Sequence, residues 1–247
     1  MKSLFTINSK NLTKALKTVV FATVTKPAGY ISQIYFTTED NKLRLTATDA
    51  TRLSTTITNC NVVSNFEFLI EKKDVLLLLK KINNLNSDIN SDITCIQNGL
   101  EIIFETNGLE IKKCHTTEYI WYPNYKTLFT FEPIYTVTIS KKQLKTAIND
   151  AYKAQKKIDV RDYHCTILSI ADNKITLKNL KKYPYECTLN AKTTSNITVA
   201  INPKYLIDIL RVIESNTVTL QIDSIYNLIK IEDNNSIHIF MPLKQDE

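Results

Sequence analysis

The chain has 247 residues, 43% of them hydrophobic and 23% charged, with a formal net charge of +6 at pH 7. This composition is typical of a folded globular protein with one or two domains. No apolar run approaches the roughly 20 residues that cross a bilayer, and the first residues, MKSLFTINSK, lack the apolar segment of a signal peptide. We therefore expect an intracellular protein that is not bound to a membrane.

Cysteine and glycine usage argues against several kinds of site. The five cysteines are odd in number, widely spaced and without a C-x-x-C pair, so the sequence indicates neither a disulfide framework nor a zinc site. The glycines, Gly29, Gly99 and Gly108, lie far apart, whereas a phosphate-binding loop needs several glycines close together. We therefore expect no cofactor and no metal, and we exclude ATP-binding and dinucleotide-binding folds.

The first half of the chain predicts a strand, a helix, three strands, a strand leading into a second helix, and three closing strands. The first strand covers Leu4 to Asn8, and Asn8 or Ser9 can cap the helix that follows. Glu39-Asp40-Asn41 is a turn signal between two strands. The later strands are predicted at Gln33 to Thr38, Lys42 to Thr48, Leu53 to Thr58, Glu67 to Ile70, Ile93 to Gln97, Leu100 to Thr106 and Leu109 to Cys114.

The second half predicts the same order of elements. A strand from Thr136 to Ile139 leads into a helix that Ser140 can cap, and Ala171-Asp172-Asn173 is the turn signal. The later strands are predicted at Thr166 to Ile170, Lys174 to Asn179, Tyr185 to Asn190, Ile197 to Ile201, Val218 to Ile222, Leu228 to Glu232 and Ile237 to Pro242.

The two halves are also similar residue by residue, at an offset of 132 positions. FTINSKNLTKAL, which begins at Phe5, aligns with VTISKKQLKTAI, which begins at Val137. Asp40-Asn41-Lys42 aligns with Asp172-Asn173-Lys174 at the same offset, and a third segment aligns at an offset of 131. We interpret this as an internal repeat; the alternative is a chance likeness between two segments that share a strand-helix order.

The repeat predicts two domains, residues 1–133 and residues 134–247. They join near Phe131-Glu132-Pro133, where a proline suits a linker. Each domain has two helices and many strands, so the predicted fold class is α+β, with helices packed on antiparallel sheets.

Most of the positive charge lies in the four helical segments. They contain fifteen basic and five acidic residues, a net charge of +10, and the rest of the chain carries −4. One interpretation is that lysine is simply a good helix former for a surface, which leaves the scarcity of glutamate unexplained. The other is that the helices face a polyanion, whose phosphates lysine contacts without reading a base sequence. The segments counted are Ser9 to Thr23, Glu71 to Asn84, Ser140 to Lys157 and Asn202 to Ser215.

Four stretches resemble the beta sliding clamp of bacterial DNA polymerase III. LTATDATRLS, from Leu45 to Ser54, is similar to the family's A-T-D-G-x-R-L element, and YPNYKTLF, from Tyr122 to Phe129, to its F-P-D-Y segment. AINPKYLIDIL, from Ala200, and SIHIFMPLK, from Ser236, resemble the family's F-N-x-x-Y-L-x-D-x-L helix and its terminal M-P-M-R. The stretches occur in the family's order and at suitable spacing.

The resemblance implies a DNA clamp fold with basic helices inside a ring and sheets outside. It covers nearly the whole chain, but only the family's second and third domains, which correspond to residues 1–133 and 134–247. Bacterial clamps close a six-domain ring as dimers of three-domain chains, so a two-domain chain needs three copies. We expect a head-to-tail homotrimer closed by edge strands, with a dimer as the second possibility.

The resemblance also implies a function. The chain is expected to be a non-enzymatic processivity factor, cytoplasmic or nucleoid-associated, that encircles duplex DNA without sequence preference. A hydrophobic groove between the last two domains of the family takes peptides from DNA polymerase and the clamp loader, and an apolar slot with an adaptable methionine suits that task. The groove residues implied here are Ile31, Thr48, Arg52, Leu53, Ile239, Phe240, Met241, Pro242 and Leu243.

Some positions depart from the family pattern, and the DNA contacts are supported unequally. Ala50 and Thr51 replace the family's glycine and a residue that is often histidine, and Thr130 stands where proline is common. These differences concern the peptide that the groove prefers. Among the expected DNA contacts, Lys72 and Lys73 match basic family positions. The others rest on helix charge alone: Lys10, Lys14, Lys17, Lys80, Lys141, Lys145 and Arg211.

Two other classes of protein compete with this interpretation. An enzyme would need a catalytic group, but the Cys114-His115 and His164-Cys165 pairs would point to opposite faces of a strand, and Asp49 has no obvious carboxylate partner. Arg52 has a purely structural alternative, an ion pair with Asp49. The second class is a clamp-like binding protein that does not encircle DNA and modulates a host's replication proteins.

Overall fold

The computed structural model describes residues 1–85, 91–156, 164–180, 182–194, 196–224 and 228–244. The chain divides into two compact units, Met1–Asn124 and Tyr125–Glu247. Each unit contains two helices and antiparallel sheets, so the α+β prediction is confirmed. No helix within the described ranges is long and apolar enough to span a membrane.

The first unit follows the predicted order of elements. Helix α1 begins where the side chain of Asn8 accepts a hydrogen bond from the backbone N–H of Lys10 at 3.0 Å, as a helix cap requires. A 3-10 turn, Val20–Ala22, continues α1. The elements are β1 Lys2–Asn8, α1 Ser9–Val19, β2 Gln33–Glu39, β3 Lys42–Thr48, β4 Arg52–Asn59, β5 Asn61–Val62, β6 Glu67–Glu71, α2 Lys72–Asn84, β7 Asp92–Asn98, β8 Glu101–Thr106 and β9 Leu109–His115.

The strands of the first unit run in the order β5-β1-β7-β8-β9 in one sheet, and β4-β3-β2-β6 are neighbours in the other. Their inner faces and the apolar faces of α1 and α2 enclose one core. Phenylalanines fill its centre: the ring of Phe36 stacks on Phe68 with centroids 4.8 Å apart, and Phe5 lies 5.0 Å from Phe66. Such pairs stabilise beyond the apolar area that they bury.

The second unit repeats the order. Helix α3 starts after Ser140, whose hydroxyl lies 3.5 Å from the backbone N–H of Gln143, and α4 is capped by Asn202 with Pro203 in its first turn. A 3-10 turn, Lys126–Phe129, precedes the first strand. The elements are β10 Tyr135–Ser140, α3 Lys141–Lys156, β11 Thr166–Ala171, β12 Lys174–Asn179, β13 Glu186–Asn190, β14 Lys192–Thr193, β15 Ile197–Ile201, α4 Pro203–Val212, β16 Thr217–Ile222, β17 Ile229–Asp233 and β18 Ser236–Phe240.

In the second unit the neighbouring strands are β14-β10-β16-β17-β18 and β13-β12-β11-β15, so each strand occupies the place of its repeat counterpart. This core contains a buried polar network. The amide of Gln155 donates to Thr166 Oγ1 at 2.9 Å and to Asn179 Oδ1 at 2.7 Å, and its oxygen accepts from the N–H of Cys165 at 2.8 Å. The end of α3 is thereby fixed to β11 and β12.

Both predicted turn signals form two-residue hairpin loops. Asp40 and Asn41 have φ of 49° and 56°, and Asp172 and Asn173 have φ of 51° and 58°. Positive φ at both positions defines the hairpin turn that matches the twist of the flanking strands, and Asn and Asp tolerate this backbone well. The offset of 132 in the sequence is therefore repeated in local conformation.

The sequence missed the two shortest strands, β5 and β14. Each has two residues, too few for any periodicity to be visible. The other strand ends lie within two residues of the prediction, and β3, β12 and β15 match it at both ends. Lys157, which we counted with the third helix, lies outside the described residues.

The second unit begins at Tyr125, ahead of the predicted join at Pro133. Lys230 on β17 explains the difference, because its amine donates to the carbonyl of Phe129 at 3.2 Å and lies 4.8 Å from the ring centroid of Phe131. The linker predicted from its proline therefore packs on the second unit.

Candidate functional site

The stretch between Thr48 and Leu53 is a tight turn that joins β3 to β4. Asp49 organises it: Oδ1 accepts from the N–H of Thr51 and the N–H of Arg52, both at 3.0 Å. The hydroxyl of Thr48 donates to the carbonyl of Arg52 at 2.8 Å and accepts from the N–H of Ala50 at 3.1 Å. Side chains thus satisfy the backbone groups of the turn.

Arg52 connects this turn to the 3-10 turn that continues α1. Its Nε lies 2.8 Å from Asp49 Oδ2, its Nη2 donates to the carbonyl of Phe21 at 2.7 Å, and its guanidinium lies 5.5 Å from the ring centroid of Phe21. Only 10% of the Arg52 side chain is exposed. The ion pair foreseen as the structural alternative is present, so Arg52 holds the turn in place, and a direct contact with a peptide stays a prediction.

The remaining first-unit residues of the predicted groove lie beside this turn. Thr48 and Leu53 face each other across β3 and β4, and both are buried. Ile31 is half-buried in the loop before β2, and its carbonyl accepts from the N–H of Val24 at 2.9 Å. The structure therefore brings Thr48, Arg52 and Leu53 together around one turn.

The predicted second-unit residues divide into a buried and an accessible group. Ile239 and Phe240 are buried at the end of β18, and Phe240 packs against Tyr205 of α4. Met241 follows with 45% exposure, and Leu243 donates its N–H to the carbonyl of Ala200 at 2.8 Å. Of the five residues, Met241, Pro242 and Leu243 thus have surface that a partner could reach.

The basic residues of α1 and α2 form an exposed surface in the first unit. Lys10, Lys14 and Lys17 are exposed on the side of α1 opposite its apolar face, and α1 contains no acidic residue. Lys73 and Lys80 are exposed one heptad apart on α2. This is the arrangement expected of a helix surface that faces phosphates.

Other predicted DNA contacts are engaged elsewhere. Lys72 donates its amine to the carbonyl of Thr23 at 2.5 Å, and Lys141 donates to the carbonyl of Ile213. Arg211 on α4 pairs with Asp208 at 3.1 Å. Lys145 is half-buried on α3. Lys72 and Lys141 thus have one amine hydrogen already engaged by the protein, and the charge of Arg211 is partly balanced by Asp208.

The histidines and cysteines do not form a reactive group. Cys114 is buried and its neighbour His115 is exposed, and burial raises the pKa of Cys114 to about 12, away from a reactive thiolate. His238 is buried, and burial lowers its pKa to about 4. Among the described residues, no group of three or more His, Cys, Asp and Glu side chains is arranged to hold a metal ion.

The sequence reasoning missed a group of four aromatic residues in the first unit. Tyr30 packs edge-on against Trp121 with centroids 5.0 Å apart and lies 5.9 Å from Tyr122, which stacks on Tyr35 at 4.7 Å. We call Tyr30, Tyr35, Trp121 and Tyr122 the aromatic shelf. The adjacent Trp121-Tyr122 before Pro123 was a visible signal, but nothing in the sequence links it to Tyr30 and Tyr35.

The fold defined by these elements is that of a DNA sliding clamp. Over its whole length the chain superposes on the DNA polymerase III beta subunit of Thermotoga maritima, with a TM-score of 0.87 at 18% identity, covering 67% of that protein. The DNA polymerase sliding clamp of Bacillus subtilis gives a TM-score of 0.87 at 17% identity, with 99% of this chain and 65% of that one covered.

The sequence is similar to a beta sliding clamp as well. The Rickettsia bellii protein of that name is 22% identical over 260 residues, which is 97% of this chain and 66% of the relative. No family model matches the sequence. The chain thus resembles bacterial beta clamps along nearly its whole length, and it spans about two thirds of the length of the curated relative.

Proposed function

We propose that the chain is a DNA sliding clamp, a non-catalytic processivity factor that tethers DNA polymerase to duplex DNA. The observation that carries the proposal is the likeness to beta clamps over 97% of the sequence and the whole fold. The basic surface of α1 and α2 supports it, since lysines on exposed helices contact phosphates without sequence preference. We propose that residues 1–124 and 125–247 correspond to the second and third domains of those clamps.

We assign the main contacts with DNA phosphates to Lys10, Lys14 and Lys17. The variant Lys10→Glu/Lys14→Glu/Lys17→Glu should weaken binding to a nicked circular plasmid and flatten its salt dependence, because each phosphate contact contributes a log–log slope of about −0.9. Lys42→Glu/Lys174→Glu/Lys192→Glu changes the net charge equally at exposed strand positions. Equal losses in both variants would show a general charge effect instead of a helix surface.

Encirclement is tested with the same plasmid. A ring should remain on nicked circular DNA through gel filtration and leave when a restriction enzyme cuts the circle. Equal retention on circular and linear DNA would favour a clamp-like protein that binds DNA without enclosing it.

We propose that three chains close the ring, with a dimer as the second possibility. Light scattering across a concentration series should give about 85 kDa, three times the 28.3 kDa of one chain. A mass that stays at one or two chains at high concentration contradicts a preformed trimer.

Peptide docking is assigned to Thr48, Leu53 and the Asp49–Arg52 turn in the first unit and to Met241, Pro242 and Leu243 in the second. The probe is the labelled peptide Ala-Lys-Gly-Leu-Ser-Leu-Phe-Gly-Lys-Ala, an extended apolar core with basic flanks, followed by anisotropy. Met241→Ala/Leu243→Ala should weaken it about tenfold or more, as loss of central apolar contacts does. Leu109→Ala, which truncates a residue 73% exposed on β9, should leave it unchanged.

A further inference from the structure

The aromatic shelf lies on the same face of the β4-β3-β2-β6 sheet as the first-unit docking residues. On β2, Ile34 and Phe36 are fully buried in the helical core, so Tyr35 between them points to the other face. Tyr35 lies opposite Thr46 of β3, and Thr46 shares its face with Thr48, two residues further along the strand. The shelf therefore begins one cross-strand row away from Thr48.

The loop before β2 gives a second connection between the shelf and the docking residues. Tyr30, whose ring contacts Trp121 and Tyr122, directly precedes Ile31, which is one of the predicted groove residues. An extended peptide that passes Ile31 and Thr48 reaches the shelf within two or three residues, because each extended residue spans about 3.3 Å.

Two residues of the shelf, Tyr35 and Tyr122, contribute to the packing of the first unit. The segment after β9 runs beside the edge strand β6, where Thr116 Oγ1 accepts from the N–H of Leu69 at 3.1 Å, and the Tyr35–Tyr122 stack fixes the end of this segment. This packing accounts for the half-buried Tyr122 and Tyr35. It does not account for Trp121, which is 53% exposed at the outer end of the shelf.

Two exposed carboxylates accompany the shelf, one by contact and one by its place in the sequence. Glu67 accepts a hydrogen bond from the hydroxyl of Tyr35 at 2.6 Å and is itself exposed, and Glu118 is exposed three residues before Trp121. An exposed indole face with carboxylates nearby favours a ligand that combines an aromatic ring with a basic residue.

We propose that the aromatic shelf is a second subsite of the peptide-docking surface, which takes an aromatic side chain beside a basic residue in an extended partner peptide. The proposal rests on the proposed peptide docking at Thr48 and Leu53. Trp121 contacts the aromatic side chain, Tyr30 holds the indole edge-on, and Glu67 and Glu118 attract the basic residue. Partners that carry this flank gain affinity over those that carry the apolar core alone.

The test compares two labelled peptides. The first is the probe described above; the second, Tyr-Lys-Gly-Leu-Ser-Leu-Phe-Gly-Lys-Tyr, differs from it only by tyrosine in place of alanine at both ends, which covers either direction of binding. The tyrosine peptide should bind about 3- to 10-fold more tightly in wild type, as expected for one added aromatic contact. Trp121→Ala should abolish this difference and leave the alanine peptide unaffected, while Tyr119→Ala, at a position 78% exposed, should preserve it.

Wild-type fluorescence gives a second measurement that needs no variant. Trp121 is the only tryptophan in the chain, so its emission should shift to shorter wavelength with the tyrosine peptide and stay unchanged with the alanine peptide.

The outcomes separate the two proposals. Binding of both peptides with equal affinity, or a difference that persists in Trp121→Ala, overturns the subsite and leaves peptide docking intact. Absence of binding by either peptide overturns both. Loss of the difference in Trp121→Ala alone, together with the emission shift, supports the subsite.

Discussion

The two units have the same strand order but different interiors. The first unit stacks phenylalanines between its helices and sheets, with Phe36 against Phe68 and Phe104. The second has Phe240 as its one fully buried phenylalanine among the described residues, and it buries Gln155, Thr166 and Asn179 as a hydrogen-bonded network. The topology therefore depends on the alternation of apolar and polar positions and on the turns, and it tolerates different ways of filling the core.

The difference extends to the helices that bear the charge. On α1 the lysines have no acidic neighbour within the helix, whereas on α4 Asp208 pairs with both Lys204 and Arg211. The charge of α4 is therefore offset within its own helix and that of α1 is not, and the repeat does not imply equal roles for its two copies.

The largest expected effect tests the aromatic core of the first unit. Phe36→Ala removes a fully buried ring that contacts two others, and it should lower the free energy of unfolding by about 3–5 kcal/mol. Urea unfolding followed by Trp121 emission reports this unit. Leu109→Ala, on an exposed residue, should stay within about 0.5 kcal/mol. A loss below about 2 kcal/mol for Phe36→Ala would show that the core refills the cavity.

The second effect is a pH dependence in the second unit. Burial lowers the pKa of His238 to about 4, and the charge of Asp233 opposes this. The unfolded chain binds a proton near pH 6.5 that the folded chain excludes, so stability should decrease as pH falls from about 6.5 to about 4. The full loss amounts to about 3 kcal/mol.

Urea midpoints by circular dichroism at several pH values measure this slope. His238→Gln should flatten it, and His115→Gln, on an exposed side chain, should retain it. A slope unchanged in His238→Gln would assign the pH dependence to other groups.

The sequence predicted the repeated elements well because their signals are local. Period-two alternation, the Asp-Asn turns and the helix cap at Asn8 depend on a few neighbouring residues, and the structure contains all of them. Contacts between distant residues were not predictable in this way. Lys230 donates a hydrogen bond to the carbonyl of Phe129, about a hundred residues earlier in the chain. The rings of Tyr30 and Trp121 are in contact although most of the first unit's sequence separates them.

The candidate site shows the same limit. The resemblance placed Thr48, Arg52 and Leu53 in one stretch, and the turn that holds them together was within reach of the sequence because Asp49 and Thr51 are typical turn residues. Two other contacts could not be predicted from the sequence: Arg52 donates to the carbonyl of Phe21, and Lys72 donates to the carbonyl of Thr23. Both acceptors are backbone groups, which every residue has, so the pattern of side chains does not indicate them.

A smaller effect tests the polar core of the second unit. Gln155→Ala leaves Thr166, Asn179 and the N–H of Cys165 short of a partner, which should cost about 1–3 kcal/mol. Gln143→Ala on the exposed side of the same helix is the matched control and should be nearly neutral. Equal effects of the two variants in urea unfolding would mean that the network contributes nothing beyond helix propensity.

The smallest effect concerns the turn of the candidate site. Ala50 has φ of 72°, in the left-handed region that costs an L-residue with a Cβ about 1–2 kcal/mol and glycine almost nothing. Ala50→Gly should therefore stabilise the first unit, by about 0.5–1 kcal/mol once the greater freedom of glycine in the unfolded chain is included. Ala154→Gly in α3, where the backbone is helical, should instead cost about 1 kcal/mol. Urea unfolding of both variants decides the point: if Ala50→Gly is also destabilising, contacts of the Ala50 methyl group outweigh the backbone strain.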